Sequence, residues 1–173
     1  MLPADVVVRA LTPHRDERGT FIELHRREWA IGDEDPIQWN AVSSAAGVLR
    51  GVHVHIRHED YVTVVAGRML LGLHDIRRDS PTYGLSTVIE IAAAEPRGVR
   101  IPVGVCHGFY FPEPSIHVYA VSRYWNVRDE LGCRYDSPEL RLGWNVGAPL
   151  LSDRDRSADD YAEMVRQYEQ ADA

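Results

Sequence analysis

Two clusters of histidines carry the side chains best suited to acid–base or metal chemistry. In the first, His53 and His55 are two positions apart, close to Arg50 and separated by the apolar Val54. Side chains alternate between the two faces of a strand, so a strand here presents both imidazoles on one face. The second cluster is a turn followed by an apolar run that carries His107. Because the ordinary pKa of an imidazole is about 6.5, these residues suit proton transfer near neutral pH or metal binding.

Short runs rich in Val, Ile, Tyr and Phe must position these histidines. Ten runs are separated by turn sequences, and they span residues 6–11, 21–26, 39–43, 48–55, 61–65, 69–76, 87–92, 99–102, 108–111 and 116–122. Strand follows strand without a helical crossover, which predicts antiparallel pairing. About ten strands predict an all-β sandwich or a barrel-like jelly roll. We expect Val52 and Val54 to face the core and the histidines to face a lumen.

A helix is expected only near the C-terminus. Ser157 and Asp160 resemble a capping box. The residues after them have the spacing of one apolar helix face: Tyr161, Met164, Val165 and Tyr168. The sequence therefore predicts a short C-terminal helix that packs on the outside of the barrel.

Length and composition predict a single domain over residues 1–173. A chain of 173 residues can bury a core without disulfides, and its 26% charged and 45% hydrophobic residues are ordinary for a globular protein. The net charge of -7 argues against a broad nucleic-acid interface. All 19 basic residues are arginines, which excludes any Schiff-base mechanism through lysine.

The cysteines and the N-terminus predict a cytoplasmic protein without membrane partners. Cys106 and Cys133 show no CxxC spacing, which suits a reducing compartment. No apolar run approaches the roughly 20 residues of a membrane-spanning helix. The first residues do not have the basic-then-apolar design of a signal peptide.

The two histidine clusters together fit the cupin signature. Its first half consists of Gly47, His53, His55, Glu59 and Gly67, with one extra residue before the last glycine. Its second half consists of Pro102, Gly104 and His107, without the glycine usually found five residues earlier. We therefore expect a cupin jelly roll, a double-stranded antiparallel β-barrel.

From about residue 16 to residue 155 the chain resembles the dTDP-4-dehydrorhamnose 3,5-epimerases and their sugar-nucleotide relatives. The segments that carry the resemblance are Asp16 to Phe21 with Glu23, Gln38 to Asn40, Leu49 to His53, Asp75 to Arg77, Ser80 to Gly84, His107 to Phe109, Tyr119, Glu130, and Leu151 to Asp155. Each segment alone is weak, but their order and spacing together are specific.

The resemblance implies an isomerase of deoxysugar biosynthesis that works without a cofactor or metal. Such an enzyme removes a proton beside the C4 ketone of a nucleotide-linked 4-keto-6-deoxyhexose and returns it from the opposite face, at C3, C5 or both. By motif match, His53 is the base, Asp155 is its partner, and Tyr119 is the acid. The nucleotide base is left open.

The resemblance also implies binding roles. Arg50, Gln38, Asn40 and His107 would hold the sugar and its carbonyl oxygen. Arg18 and Glu23 belong to a segment that would reach the nucleotide across a dimer interface. Glu130 and Arg154 would lie near the pocket mouth. The expected assembly is a homodimer with N-terminal strands shared or exchanged.

Three positions depart from the family pattern. Asp60 stands where the family has a lysine that stabilises the enolate oxygen. A carboxylate repels an enolate, so the positive charge must come from Arg50, Arg57 or elsewhere, or the chemistry differs. Trp125 replaces a second tyrosine near the sugar ring, which affects how many carbons are epimerised. His55 replaces a glutamine and restores the metal-binding form of the cupin signature.

Two alternative functions remain open at this point. The first is a metal-dependent oxygenase or isomerase whose ligands are His53, His55, Glu59 and His107. In that case His53 is not a free base, because its lone pair binds the metal. The second is a non-catalytic sugar-nucleotide-binding homologue, which the change to Asp60 favours.

Overall fold

Strands dominate the computed structural model, which describes residues 1–29, 31–126 and 129–172. The strands in this part of the chain are β1 Val7–Ala10, β2 Pro13–Asp16, β3 Gly19–Ile22, β4 Gln38–Ser44, β5 Leu49–His55, β6 Asp60–Ala66, β7 Arg68–Asp75, β8 Ser86–Ala92, β9 Arg97–Ile101, β10 Val105–Tyr110, β11 Ser115–Val121 and β12 Glu130–Gly132. The α-helices are α1 Asp153–Arg156 and α2 Tyr161–Asp172.

Two five-stranded sheets face each other. The first has the order β1-β9-β6-β11-β4 and the second has the order β12-β5-β10-β7-β8, while β2 and β3 form a separate hairpin. Neighbouring strands of both sheets pair antiparallel. This architecture confirms the predicted all-β jelly roll with little helix.

The core between the sheets follows from the alternation along the strands. Val62, Leu71, Leu73 and Val99 are fully buried there and belong to one cluster with Phe111. Burial of an aliphatic side chain of this size stabilises a fold by roughly 1.5–3 kcal/mol. The remaining space between the sheets is where polar side chains gather.

The outer face of the second sheet is covered by α2. Met164 and Tyr168 pack there with Val52, Val54 and Cys106, as the helical spacing predicted. Both cysteines are buried thiols without a disulfide among the described residues. The helices of the described chain are too short and too polar to cross a bilayer.

The predicted capping box at the start of this helix was wrong. Ser157 lies at the end of α1, whose first turn is capped by Ser152. The backbone N–H of Glu163 donates to Asp160 Oδ1 at 2.8 Å, so Asp160 caps α2. An aspartate accepts this hydrogen bond as well as a serine does, and the helix therefore begins three residues later than predicted.

Candidate active site

A cavity of about 280 Å³ opens between the two sheets. The second sheet and α1 contribute the catalytic candidates His53 and Asp155, and the first sheet contributes Tyr119. The cavity lining comprises Val42, Arg50, His53, His55, His58, Asp60, His107, Phe109, His117, Tyr119, Val121, Trp125, Glu130, Ser152, Arg154 and Asp155. The predicted common face of His53 and His55 is thus confirmed.

An irregularity in β5 brings Arg50 and His53 to the same face. Opposite β10, Gly51 pairs with Gly108 and His53 pairs with His107, so Val52 is an extra residue on β5. Such a bulge shifts the alternation by one position. Gly51 has a φ of 104°, and a Cβ on it would lie 2.9 Å from the carbonyl oxygen of His107. This position therefore requires glycine.

His53 and Asp155 form the predicted contact. Nε2 of His53 donates to Oδ1 of Asp155 at 2.7 Å. The other carboxylate oxygen accepts from Oγ of Ser152 at 2.9 Å, and that Oγ accepts from the backbone N–H of Asp155 at 3.1 Å. The first turn of α1 thereby fixes the carboxylate, which in turn fixes the imidazole.

A second carboxylate occupies the other nitrogen of His53. Nδ1 lies 3.0 Å from Oε1 of Glu130, whose Oε2 accepts from Arg154 at 2.7 Å and from Trp125 Nε1 at 3.1 Å. Burial alone would lower the pKa of His53, but Asp155 and Glu130 raise that pKa to about 9. Nδ1 is free to accept a proton only after Glu130 moves away from it.

Tyr119 faces the cavity from β11, in the sheet opposite His53. Burial raises the pKa of its phenol, and the nearby carboxylates of Asp60 and Glu130 raise it further. The phenol is therefore protonated at neutral pH. Base and acid candidates approach the same space from two different sheets, which is the arrangement required for proton transfer on opposite faces of a ring.

The residues expected to hold the sugar lie in or beside the cavity. Arg50 lines it, and its Nε donates to Ser44 Oγ at 3.1 Å. Gln38 and Asn40 share a face of β4 with Val42, which lines the cavity. Gln38 donates to Oδ1 of Asn40 at 3.1 Å and accepts from the backbone N–H of Trp125 at 2.9 Å.

Asp60 is surrounded by imidazoles rather than exposed to the cavity as a bare charge. Its Oδ2 lies 3.0 Å from Nε2 of His55 and 3.0 Å from Nε2 of His107. Burial would raise the pKa of Asp60, but these two imidazoles hold that pKa well below its ordinary value. Asp60 is therefore a buried, hydrogen-bonded carboxylate rather than an isolated one.

The four-ligand metal set considered above is not assembled. Glu59 accepts from Arg100 Nε at 3.0 Å and lines a different, smaller pocket, together with His25 and Ile31. Glu59 precedes β6 and is turned toward Arg100, whereas Asp60, the first residue of β6, lines the main cavity.

Arg18 and Glu23 lie outside the cavity within one chain. Arg18 is at the tip of the β2–β3 hairpin, with 85% of its side chain exposed, and it pairs with Asp16. Glu23 pairs with Arg26 at 3.3 Å. The structure of a single chain brings neither residue to the catalytic candidates.

Sequence reasoning missed two histidines of the cavity. His117 is buried two positions before Tyr119 on β11, so period-two alternation from Tyr119 would have found it. His58 is buried in the irregular segment between β5 and β6, where no periodicity indicates its direction.

Comparison with known proteins identifies the family to which this chain belongs. The chain matches the sequence model of dTDP-4-dehydrorhamnose 3,5-epimerase over residues 3–163. The chain belongs to this epimerase family. It is 33% identical over 167 residues to the dTDP-4-dehydrorhamnose 3,5-epimerase of Pseudomonas aeruginosa, and this alignment covers 92% of each protein. The predicted family and the predicted enzyme class, a carbohydrate epimerase, are thereby confirmed.

Solved structures of epimerases have the same fold. The Legionella pneumophila dTDP-6-deoxy-D-glucose-3,5-epimerase RmlC, in complex with dTDP-4-keto-L-rhamnose, gives a TM-score of 0.84 at 28% identity and 92% coverage of both chains. ChmJ, a 3'-monoepimerase from Streptomyces bikiniensis in complex with dTDP-quinovose, gives a TM-score of 0.86 at 27% identity. That comparison covers 99% of this chain and 94% of ChmJ. The name of the first enzyme specifies epimerisation at two carbons, and the name of the second specifies epimerisation at one.

Proposed function

We propose that this epimerase inverts a carbon next to the C4 ketone of a nucleotide-linked 4-keto-6-deoxyhexose in deoxysugar biosynthesis. The observation that carries the proposal is the hydrogen-bonded His53–Asp155 pair in a cavity that Tyr119 enters from the opposite sheet. A ketone makes the hydrogen on the adjacent carbon acidic, so one base, one acid and a positively charged site at the carbonyl oxygen suffice.

His53 is the base. It takes the proton from the carbon next to the ketone, and the electron pair moves onto the carbonyl oxygen to form an enolate. Asp155 fixes the tautomer and stabilises the imidazolium, as the carboxylate does in a hydrolase triad. Because Asp155 holds Nε2, the accepting atom is Nδ1. When the substrate enters, Glu130 leaves Nδ1, the pKa of His53 falls, and Nδ1 releases its proton to solvent before it acts as the base. Arg154 and Trp125 already contact Glu130 and can retain it.

Tyr119 is the acid. Its raised pKa keeps the proton on the phenol until the enolate carbon is ready to accept it. Protonation from the face opposite His53 inverts the centre. Return of the proton from His53 restores the original configuration, so the two groups together decide between exchange and inversion.

The sugar ring is held inside the cavity and the nucleotide outside it. A volume of about 280 Å³ lies at the lower limit for small-molecule sites, and therefore suits one sugar ring rather than a whole sugar nucleotide. Arg50, Gln38, Asn40 and His107 hold the ring and its carbonyl oxygen. Arg154 is half-exposed beside Glu130 and binds the diphosphate near the mouth.

The enzyme inverts the configuration at C3, with or without inversion at C5. Inversion at C3 is shared by the activities named for both solved epimerases above, whereas inversion at C5 belongs to only one of them. Trp125 lines the cavity at the position where the family has its second tyrosine. The size of the indole ring determines whether the sugar can also bind with C5 next to the base.

The working unit is a homodimer of chains in which residues 1–173 form one domain. The β2–β3 hairpin carries exposed Phe21 and Arg18 and lies apart from both sheets. In the dimer this hairpin extends over the partner's cavity, where Arg18 and Glu23 contact the nucleotide.

The enzyme works in the cytoplasm. Cys106 and Cys133 are buried thiols that form no disulfide, as is usual in a reducing compartment.

Deuterium exchange tests the proposal. The protein is incubated in D₂O with dTDP-4-keto-6-deoxyglucose, and the hydrogens at C3 and C5 are followed by NMR. Deuterium at C3 with accumulation of the C3-inverted sugar is expected. Absence of exchange at both carbons, with several nucleotides tried, would refute the proposal and favour a binding protein.

A further inference from the structure

A group of three buried side chains beside the proposed base has the composition of a metal site. His55, His58 and Asp60 line the cavity, and one candidate ligand atom from each lies within 4.8 Å of the others. Their exposed fractions are 7%, 1% and 5%. The proton-transfer scheme above gives none of the three a role.

Three polar atoms of this group lack a hydrogen-bond partner in the described part of the chain. They are Nδ1 of His55, Nε2 of His58 and Oδ1 of Asp60. An unsatisfied buried polar atom typically costs about 1–3 kcal/mol, so three such atoms in one place favour a ligand-binding site. The His58 and Asp60 atoms lie 3.7 Å apart. This distance is too long for a hydrogen bond but close to the roughly 3.4 Å that separates two ligands of one tetrahedral ion.

The surrounding hydrogen bonds orient imidazole nitrogens toward Asp60. Nδ1 of His58 donates to Asp129 at 2.6 Å, which leaves Nε2 on the side of Asp60. Nδ1 of His107 donates to the carbonyl of Val105 at 3.2 Å, and its Nε2 lies 3.0 Å from Asp60. Metal-binding histidines usually donate their second N–H to a carboxylate or a backbone carbonyl in this way.

We infer that His55, His58 and Asp60 bind a divalent transition-metal ion. Imidazole nitrogens combined with a single carboxylate favour Zn²⁺, Fe²⁺, Mn²⁺ or Ni²⁺ over Ca²⁺ and Mg²⁺. This ligand set differs from the one considered from the sequence, because it leaves His53 free as a base and does not use Glu59.

The ion acts on the carbonyl oxygen of the sugar, a role that rests on the proposed function. Asp60 occupies the position where its family has a lysine. A divalent ion bound here therefore restores a positive charge near the carbonyl oxygen of the sugar. The ion polarises the ketone as a Lewis acid while His53 takes the proton. The electron pair then rests on the metal-bound oxygen and returns to carbon when Tyr119 donates its proton. No electron leaves the substrate, and no oxidant is needed.

Metal stoichiometry tests the site without reference to activity. Tag-free protein is stripped with a chelator, titrated with Co²⁺ alone, and examined by visible absorption and by metal analysis after desalting. We expect about one ion per chain for wild type and for the control Asp79→Asn, which changes an exposed aspartate. Asp60→Asn and His58→Ala should bind at least about 10-fold more weakly with unchanged circular dichroism. Failure of wild type to bind, or wild-type affinity in Asp60→Asn, would overturn the site.

Deuterium exchange in the same samples tests the role. Stripping should slow exchange by about 100-fold, and Zn²⁺ should restore it. The double variant Asp60→Lys with His55→Gln restores the residue types of the related family and should exchange without any metal. Wild-type exchange in stripped protein would overturn the Lewis-acid role and leave the proposed epimerase intact. If neither the metal-loaded nor the metal-stripped samples exchange deuterium, the proposed epimerase function is refuted. The metal stoichiometry would still show whether the metal site exists.

Discussion

The imidazole of His53 donates to the carboxylate of Asp155 across 2.7 Å, although 102 positions separate these residues in the chain. The contact forms because α1 packs against β5 at the mouth of the cavity. An imidazole held at one nitrogen by a carboxylate presents its other nitrogen in a fixed direction. Here that direction leads to Glu130 and the cavity.

Replacement of Asp155 by asparagine should slow deuterium exchange by about 10³–10⁴-fold, because the amide favours the wrong tautomer of His53 and cannot stabilise the imidazolium. The rate is measured by NMR in D₂O. Asp153→Asn provides a control on the same helix, since the Asp153 side chain is fully exposed. Equal losses in both variants would show that α1, rather than the carboxylate, was damaged.

Tyr119→Phe should separate exchange from inversion. The variant retains His53, so a deuteron can still be returned to the original face, but inversion lacks its acid. We expect inversion to slow by about 100-fold and exchange by less than about 10-fold, both followed in one NMR time course. Tyr124→Phe, at a tyrosine that is 75% exposed, is the control. Inversion by Tyr119→Phe at the wild-type rate would remove Tyr119 from the mechanism.

The protein should lose stability between pH 6.5 and pH 4 because of His117. Burial, together with the charge of Arg50, lowers its pKa from 6.5 to about 4. As pH falls through this window, His117 becomes protonated in the unfolded chain but stays neutral in the folded chain, so the free energy of unfolding decreases. The loss at pH 5 amounts to about 2 kcal/mol.

Urea unfolding at pH 7 and pH 5 measures this effect. His117→Gln should lose about 2 kcal/mol less than wild type between the two pH values. A change at the exposed His14, made as His14→Gln, should behave as wild type does. An unchanged pH dependence in His117→Gln would show that this imidazole is not buried in its neutral form.

Arg18 should serve the cavity of the partner chain. Arg18→Ala and His53→Ala should each be nearly inactive alone, whereas their mixture should recover activity after the dimers are exchanged. Random pairing makes half of the dimers mixed, and each mixed dimer has one intact cavity, so about a quarter of wild-type activity is expected. Recovery no greater than the sum of the two variants would place Arg18 in its own chain's site or outside any site.

Local periodicity was sufficient to predict ten of the twelve strands of the described residues, all except β2 and β12, and the common face of His53 and His55. Alternation needs only neighbouring residues, and the apolar partners Val52 and Val54 indicated which face is buried. The spacing along α2 likewise predicted its contact with the second sheet. The contact of His53 with Asp155 was predicted only through the family resemblance, since nothing local links residues so far apart.

Features that depend on the folded chain were not predicted. The bulge at Gly51 and Val52 arises from pairing with β10, and period-two alternation alone puts Arg50 on the wrong face. Glu130 reaches His53 because β12 pairs with β5, a contact that leaves no trace in local spacing. Asp60 was expected to act as an isolated negative charge, but His55 and His107 converge on it from different strands.

The most direct test of the account is the deuterium content at the carbons adjacent to C4 after incubation of the 4-keto-6-deoxy sugar nucleotide with the His53→Ala variant in D₂O. With wild-type protein, deuterium should appear at C3. With the variant, both carbons should retain their hydrogen over the same period, while circular dichroism shows a folded protein. Incorporation by the variant at the wild-type rate would contradict the assignment of His53 as the base.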